Sequence, residues 1–421
     1  MTTAPAVPLI DTAGRDVHGE SERLRALGPA VRVELPGGVL AWWVTDHALV
    51  KRLLTDPRIS RDTYRHWPAW GNGESELART WSLAMWVADH NMITAYGAEH
   101  TRLRRLVAKA FTARRTQAMR PRVEAITTGL LDALATVAPG EVVDLRARFA
   151  HPLPVQVISE LLGIPDLLRG PLLRSVHEIM DTSASPERAK ATEVELYRLL
   201  RELVEVKRAA PGDDVTSGLI QAHGDDGAGL DERELVDTVL LMFTAGHETT
   251  VNLLDQTTAL LLTHPERRAA VESGALAWED VVEESLRLEA PFANLPLRYA
   301  VEDVPVGDLV IAAGDPIVIA FGAAGRDRAV HGPTATEFDP TRPTRRDHLA
   351  FGHGAHHCLG APLARMEAAV GLPALFARFP GMRLATTPDG LRPLGSFISN
   401  GHAALPVLLR PPTTRSGEET R

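Results

Sequence analysis

The chain has 421 residues, 44% of them hydrophobic and 24% charged, with a formal net charge of −9 at pH 7. That composition describes a globular protein with enough apolar material for a sizeable core, and its negative balance argues against nucleic acid as a partner. The single cysteine excludes an intramolecular disulfide and fits a reducing cytoplasm, and no run of about eighteen apolar residues is present to make a membrane-spanning helix.

No composition break, linker or internal repeat divides the sequence. Residues 1–421 are therefore expected to form one domain, ordered from about residue 9 to 410, with a disordered tail over 411–421. Met1 to Ile10 contain Pro5 and Pro8 and lack a basic segment, so they read as neither a signal peptide nor an anchor.

In chain order, Val31-Arg32-Val33-Glu34-Leu35 alternates, Pro36-Gly37-Gly38 turns, and Val39 to Val44 returns, which predicts a β-hairpin. From about His47 to Leu276 the pattern is mostly helical. Trp67, Trp70, Trp81 and Trp86 are four of the seven tryptophans; ordinary core packing accounts for at least two of them. His100 and Arg104 stand at i and i+4 and share a helical face. Thr112 is a candidate N-cap, though Arg115 denies it a capping box. Apolar spacing predicts helix over Thr112 to Leu134 and again over Val194 to Arg208.

Asp231, with Glu234 three residues on, opens a helix that continues to Thr263, where His264-Pro265 ends it. Its middle reads Ala245-Gly246-His247-Glu248-Thr249-Thr250. An interior glycine costs roughly 1 kcal/mol relative to alanine, and Glu248 puts a carboxylate into an apolar stretch. One reading is a polar kink where helices cross. The other is that small Ala245 and Gly246 leave room beside a flat ligand, while Thr249 bonds back to the Ala245 carbonyl and opens the helix.

Trp278 to Arg287 predicts a helix ending before Pro291, with Glu284 and Arg287 on one face. As a solvated surface pair they would contribute at most about 1 kcal/mol. Strands are predicted at Arg298–Val301, Leu309–Ile311 and Ile317–Ala320, and a last hairpin near Ser396 to Leu409 around Asn400-Gly401.

The lone cysteine lies in Phe351-Gly352-His353-Gly354-Ala355-His356-His357-Cys358-Leu359-Gly360, ahead of a helical run from Ala361. A free cysteine is often only a small buried hydrophobe. His353, His356, His357 and Cys358 are also zinc-binding residue types, but four donors so close in a glycine loop could hardly all reach one tetrahedral centre. The third reading is a single thiolate ligand, favoured by backbone N–H groups and the positive end of the following helix.

Read as Phe-Gly-x-Gly-x-His-x-Cys-x-Gly, this loop resembles in full the haem-binding loop of the cytochrome P-450 family, whose general property is haem held by a cysteine thiolate. The resemblance spans roughly residues 9 to 410, with the other motifs in the family's order. It implies a mainly α fold with small β-sheets, haem b (iron protoporphyrin IX) lying between the long distal helix and the proximal Cys358 loop and helix. Cys358 would bind the iron, with Phe351, Gly352, His356 and Gly360 in the loop around it. Glu248 and Thr249 would form the family's acid–alcohol pair, with Ala245 and Gly246 beside the haem. His100, Arg104, Arg298 and His356 would bind the propionates, and Glu284, Arg287 and Arg342 would form a buried ionic triad. One departure is visible: Ala324-Gly325-Arg326-Asp327-Arg328 stands where the family commonly has Ala-Asn-Arg-Asp-Pro.

The implied activity is a monooxygenase that inserts one oxygen atom of O2 into a C–H bond of a bulky apolar molecule such as a macrolide, steroid or other natural product. A cytoplasmic monomer is expected, with no membrane partner and electrons supplied by a ferredoxin and its reductase. Arg102, Arg105, Arg345 and Arg346 are expected to form a basic patch for an acidic ferredoxin. The substrate pocket is expected to draw on the tryptophans with Met85, Met92, Leu241, Phe292, Leu295, Phe397 and Ile398. Two alternatives share the cysteine loop: a haem-thiolate enzyme for radical coupling, rearrangement or peroxide chemistry, and a non-catalytic haem sensor or carrier. The second gives no reason for Glu248-Thr249.

Overall fold

Alternation along the N-terminal hairpin builds one edge of a five-stranded sheet in the computed structural model, which describes residues 7–179, 186–224 and 227–411. The tail expected beyond Pro411 lies outside these residues. Strand β1 (Ala30–Leu35) pairs antiparallel with β2 (Val39–Val44), from Ala30↔Val44 to Leu35↔Val39, and Gly37 takes φ 76° in the turn as only glycine readily does. The remaining strands of this sheet are β3 (Ile59–Ser60), β5 (Leu295–Ala300) and β8 (Pro316–Ile319), in the order β1-β2-β8-β5-β3. Side chains alternate between the faces. Val33, Leu35, Ala41, Trp43, Leu297, Tyr299 and Val318 pack with Trp67, Trp70 and Trp81, while Trp42, Val44, Ala300, Ile317 and Ile319 pack with the helix His47–Thr55.

Two smaller sheets complete the β-structure of the described residues: β4 (Val142–Asp144), β10 (Pro406–Leu408) and β9 (Arg383–Leu384) in one, and β6 (Val304–Val306) with β7 (Leu309–Ile311) in the other. The expected C-terminal hairpin does not form. Asn400 and Gly401 both have negative φ, and Asn400 N–H donates to the Pro291 carbonyl. The strand after them pairs instead with β4, far away in sequence, and with β9. Burial of Asn400 against Glu289 overrides the local turn preference of Asn-Gly.

The rest is helical. The long helix runs Glu232–Thr263 behind a complete capping box from Asp231 and Glu234. Val239, Phe243, Val251, Leu254 and Leu261 are all buried on it, so it is enclosed on most sides by Pro152–Leu161, Trp278–Leu288 and Ala361–Arg378. Thr112 caps its helix through Arg115 N–H at 3.2 Å, but the expected single helix is two, Ala113–Ala118 and Arg120–Ala135. Pro121, with no N–H to donate, sits in the first turn of the second.

Glu284 and Arg287 are fully buried rather than solvated. Arg287 donates to both carboxylate oxygens at 2.7 Å, Arg342 Nε stands 3.4 Å from Oε1, and the Asp339 N–H adds a bond of 2.9 Å. Arg287 also donates to the carbonyls of Gly325 and Ala335, and Arg342 to those of His331 and Thr334. Every charge in this triad is thus paired and hydrogen-bonded. The departure at Gly325 has a steric reason here, since a Cβ would lie 2.0 Å from the Arg287 carbonyl oxygen. Alongside, Glu283 binds Arg365 at 2.5 Å and His348 at 3.0 Å, tying the helix before the cysteine loop to the helix after it.

Candidate active site

A cavity of about 1030 Å³ opens between the long helix and the cysteine loop. Phe351, Gly352, His356, Cys358 and Gly360 lie on one wall, and Ala245, Gly246, Glu248 and Thr249 on the other. The loop's shape depends on left-handed backbone at Gly352 (φ 72°) and Gly354 (φ 70°); at Gly354 a Cβ would also come within 2.8 Å of the Leu54 carbonyl oxygen. Cys358 N–H donates to the Phe351 carbonyl at 2.9 Å, and the sulfur is open to the cavity.

Enclosure by the surrounding protein pushes the Cys358 thiol pKa up, against the N–H groups of Gly360 and Ala361 and the guanidiniums of Arg104 and Arg365. The expected bias toward thiolate is therefore outweighed by burial, and a coordinated metal ion is what deprotonates such a thiol outright. Among the described residues no three His, Cys, Asp or Glu side chains converge as a metal-binding group.

Donors without acceptors mark one end of the site. Arg104, Arg298 and His356 line the cavity, and His100 stands behind His356 with ring centroids 4.2 Å apart. His100 Nε2, Arg298 Nη1 and His356 Nδ1 are buried and have no hydrogen-bond partner. Arg104 donates to the His357 carbonyl at 2.6 Å. Burial, with the charges of Arg61, Arg298, His100 and Arg104, pushes the His356 pKa down to about 2. Buried donors in native proteins are paired as a rule, so this end fits a flat cofactor carrying carboxylates. Arg61, not anticipated from the sequence, belongs to the same cluster.

On the opposite wall Thr249 Oγ1 donates to the Ala245 carbonyl at 2.9 Å, as expected, but the helix continues without opening. Gly246 has a packing reason as well as a cavity position: a Cβ there would lie 2.8 Å from Ile158 Cδ1. Glu248 is held by Arg146, whose Nη2 is 3.2 Å from Oε1 and whose Nη1 reaches Asn252 at 2.9 Å and Asp255 at 3.4 Å. Burial pushes the Glu248 pKa up, and Arg146, His151 and Asn252 oppose it. Arg146, in the helical turn Arg146–Ala150, carried no sequence signal, because only packing brings it to the long helix.

Trp81, Trp86, Met92, Leu241, Phe292 and Leu295 line the cavity, with Trp86 edge-on to Phe292 at 5.7 Å. Trp67 and Trp70 stack at 5.6 Å within the core. Phe397 and Ile398, expected at the cavity, are instead buried in that core, and the Met85 side chain lies outside the described residues. Asp89, Glu193, Lys190 and Arg233 also line the cavity; burial and the neighbouring Asp237 push the Asp89 pKa up to about 7. The expected basic patch is largely neutralised: Arg102 pairs with Glu99 and Glu234, and Arg345 and Arg346 with Asp280.

Residues 278–387 match the family described as Cytochrome P450. The chain is 46% identical to a 2-hydroxy-5-methyl-1-naphthoate 7-hydroxylase of Streptomyces carzinostaticus, over 95% of this chain and 97% of the relative. It is 40% identical to the 6-deoxyerythronolide B hydroxylase of Saccharopolyspora erythraea, over 97% and 100%. Among solved structures, CYP154A1 from Streptomyces coelicolor superposes with a TM-score of 0.89 at 50% identity, covering 96% of this chain and all of that one.

Proposed function

Because the chain belongs to the cytochrome P450 family and is a haem-dependent monooxygenase, we propose that Cys358 is its thiolate ligand and Glu248 and Thr249 its proton-handling pair. The single observation that carries this reading is the cavity itself, with the only thiol on one wall, Ala245 to Thr249 on the other, and partnerless donors at one end. When bound, haem supplies the activation of O2 that places one oxygen atom into a substrate C–H bond. The chain's own residues do the rest. His100, Arg104, Arg298 and His356 hold the propionates, and Phe351, Gly352 and Gly360 shape the loop around the sulfur. Ala245 and Gly246 keep the distal wall low. Glu248 carries a proton at its carboxyl, and Thr249 Oγ1 passes it into the cavity.

The substrate is a bulky, largely apolar natural product, in keeping with the Trp86, Met92, Leu241 and Phe292 lining. Naphthoate and macrolactone ring systems, named for the two relatives above, are the first to be screened. Two electrons come from a redox partner, which we infer to be a ferredoxin served by its reductase. The catalytic unit spans about residues 9–410 as one domain, since β10 near its end pairs with β4 and β2 near its start pairs with β8. It acts as a cytoplasmic monomer, in keeping with a chain that carries one cysteine and so no intramolecular disulfide. Among the described residues no helix is long and apolar enough to cross a membrane.

The test is the Soret band of the reduced, CO-bound protein beside that of Cys358→Ser. A strongly red-shifted thiolate–CO band lost in the variant supports the assignment; an imidazole-type band in the wild type removes it. Thr249→Ala then separates an oxygenase from a haem carrier, because the oxygenase diverts electrons to peroxide while a carrier binds ligand unchanged.

A further inference from the structure

Arg61 sits immediately after β3, whose pairing with β5 sets Ile59 opposite Ala300 and Ser60 opposite Tyr299. Continued by one residue, that register brings Arg61 beside Arg298. Both guanidiniums are buried, at 6% and 4% exposure. Arg61 Nε has no partner, its Nη2 has only a long contact of 3.5 Å to the Pro296 carbonyl, and Arg298 Nη1 has none. Among the described residues no carboxylate pairs with either: the charge that Arg298 meets is that of Arg61, and the neighbour that favours the Arg61 charge is the Tyr299 phenol. Two like charges taken out of water without an anion are strongly unfavourable. Both line the cavity, so an anion entering it can reach them.

We propose that Arg61 is a carboxylate-binding residue of the cofactor site, holding a haem propionate together with Arg298. The inference rests on the reading of this cavity as the haem site. A carboxylate could also come from a substrate. The neighbours favour the cofactor: Arg61 and Arg298 are the leading charges felt by His356, which belongs to the Cys358 loop, and His356 in turn abuts His100. The planar guanidinium can bond a carboxylate through two parallel N–H groups, which a lysine ammonium cannot reproduce.

The experiment compares wild type with Arg61→Gln and Arg61→Lys as purified holoproteins. Haem loss to excess apomyoglobin is followed without substrate, and urea unfolding is followed on the haem-free forms. Arg61→Gln should lose haem about tenfold faster, the effect of one charge-assisted hydrogen bond, with Arg61→Lys between it and wild type. Haem-free Arg61→Gln should be at least as stable as haem-free wild type, because the charge removed had no anionic partner. Unchanged haem loss in both variants overturns the proposal, as does faster loss accompanied by a weakened haem-free fold, which would mark Arg61 as structural. Unchanged haem loss with weaker binding of 1-naphthoate, but not of naphthalene, reassigns Arg61 to a substrate carboxylate. If the wild type itself fails to give the thiolate–CO band, the haem-site reading falls first and this proposal with it.

Discussion

Arg146 Nη2 stands 3.2 Å from Glu248 Oε1, a contact between residues 102 apart in sequence. The same guanidinium binds Asn252 and Asp255, and Asp255 also accepts from the His402 N–H at 2.8 Å and contacts its Nδ1 at 3.0 Å. Glu248 is therefore the inner end of a buried polar chain crossing the long helix, not an isolated carboxyl in an apolar wall.

That contact sets a pH dependence. Burial raises the Glu248 pKa and Arg146 is the largest influence opposing it. In Arg146→Met that opposition is gone, so the carboxyl keeps its proton to a higher pH. A group that must be protonated to act loses function as pH rises through its pKa. The alkaline fall in product formed per electron consumed should accordingly move upward in the variant while the acid side stays in place. A limb that does not move would show that Glu248 is not the titrating group.

Arg287 and Glu284 make the sharpest stability prediction. Arg287→Leu leaves Glu284 with no exposure and, as its only cation, Arg342 at 3.4 Å, beside the neutral Asp339 N–H at 2.9 Å. Removing one partner of a buried pair costs about 3–5 kcal/mol. Thermal unfolding of the haem-free chain should register that loss, and a variant melting within a few degrees of wild type would contradict the structural role of the triad.

Two glycines are expected to respond unequally to alanine. At Gly325 the new methyl would lie 2.0 Å from backbone, the Arg287 carbonyl oxygen, whereas at Gly246 it meets the tip of the Ile158 side chain at 2.8 Å. A side chain can turn aside, whereas a backbone carbonyl in the last turn of the triad's helix cannot move without the chain. Gly246→Ala should cost about 1–3 kcal/mol, relieved when Ile158→Val is added. Gly325→Ala should cost more and find no such partner. Equal melting temperatures for the two single variants would refute this.

Trp86 and Trp70 should separate binding from stability. Trp70 is 1% exposed, stacked on Trp67, and its truncation to alanine is expected to cost about 3–5 kcal/mol. Trp86 lines the cavity edge-on to Phe292, so Trp86→Ala should weaken the substrate-induced spin shift with a much smaller change in melting temperature. Denaturation and ligand titration of the same pair of variants check both halves.

What the residues determined by themselves lies close together along the chain. The ten-residue loop around Cys358, the Glu248-Thr249 step with its back-bond to Ala245, the capping box at Asp231 and the i, i+3 pair Glu284–Arg287 are all visible in a few consecutive positions, because glycine conformation, helix periodicity and capping are local physics. The N-terminal hairpin is legible for the same reason. The Asn400-Gly401 hairpin that the sequence suggests does not form, because burial against Glu289 and pairing with β4 and β9 outweigh a turn preference. Only the tertiary structure decided that Arg61 meets Arg298, that Arg146 holds Glu248, that Arg102 is tied to Glu234, and which tryptophans face the cavity. Each of these joins residues from separate elements, whose positions follow from strand register and helix packing that no short stretch of sequence encodes.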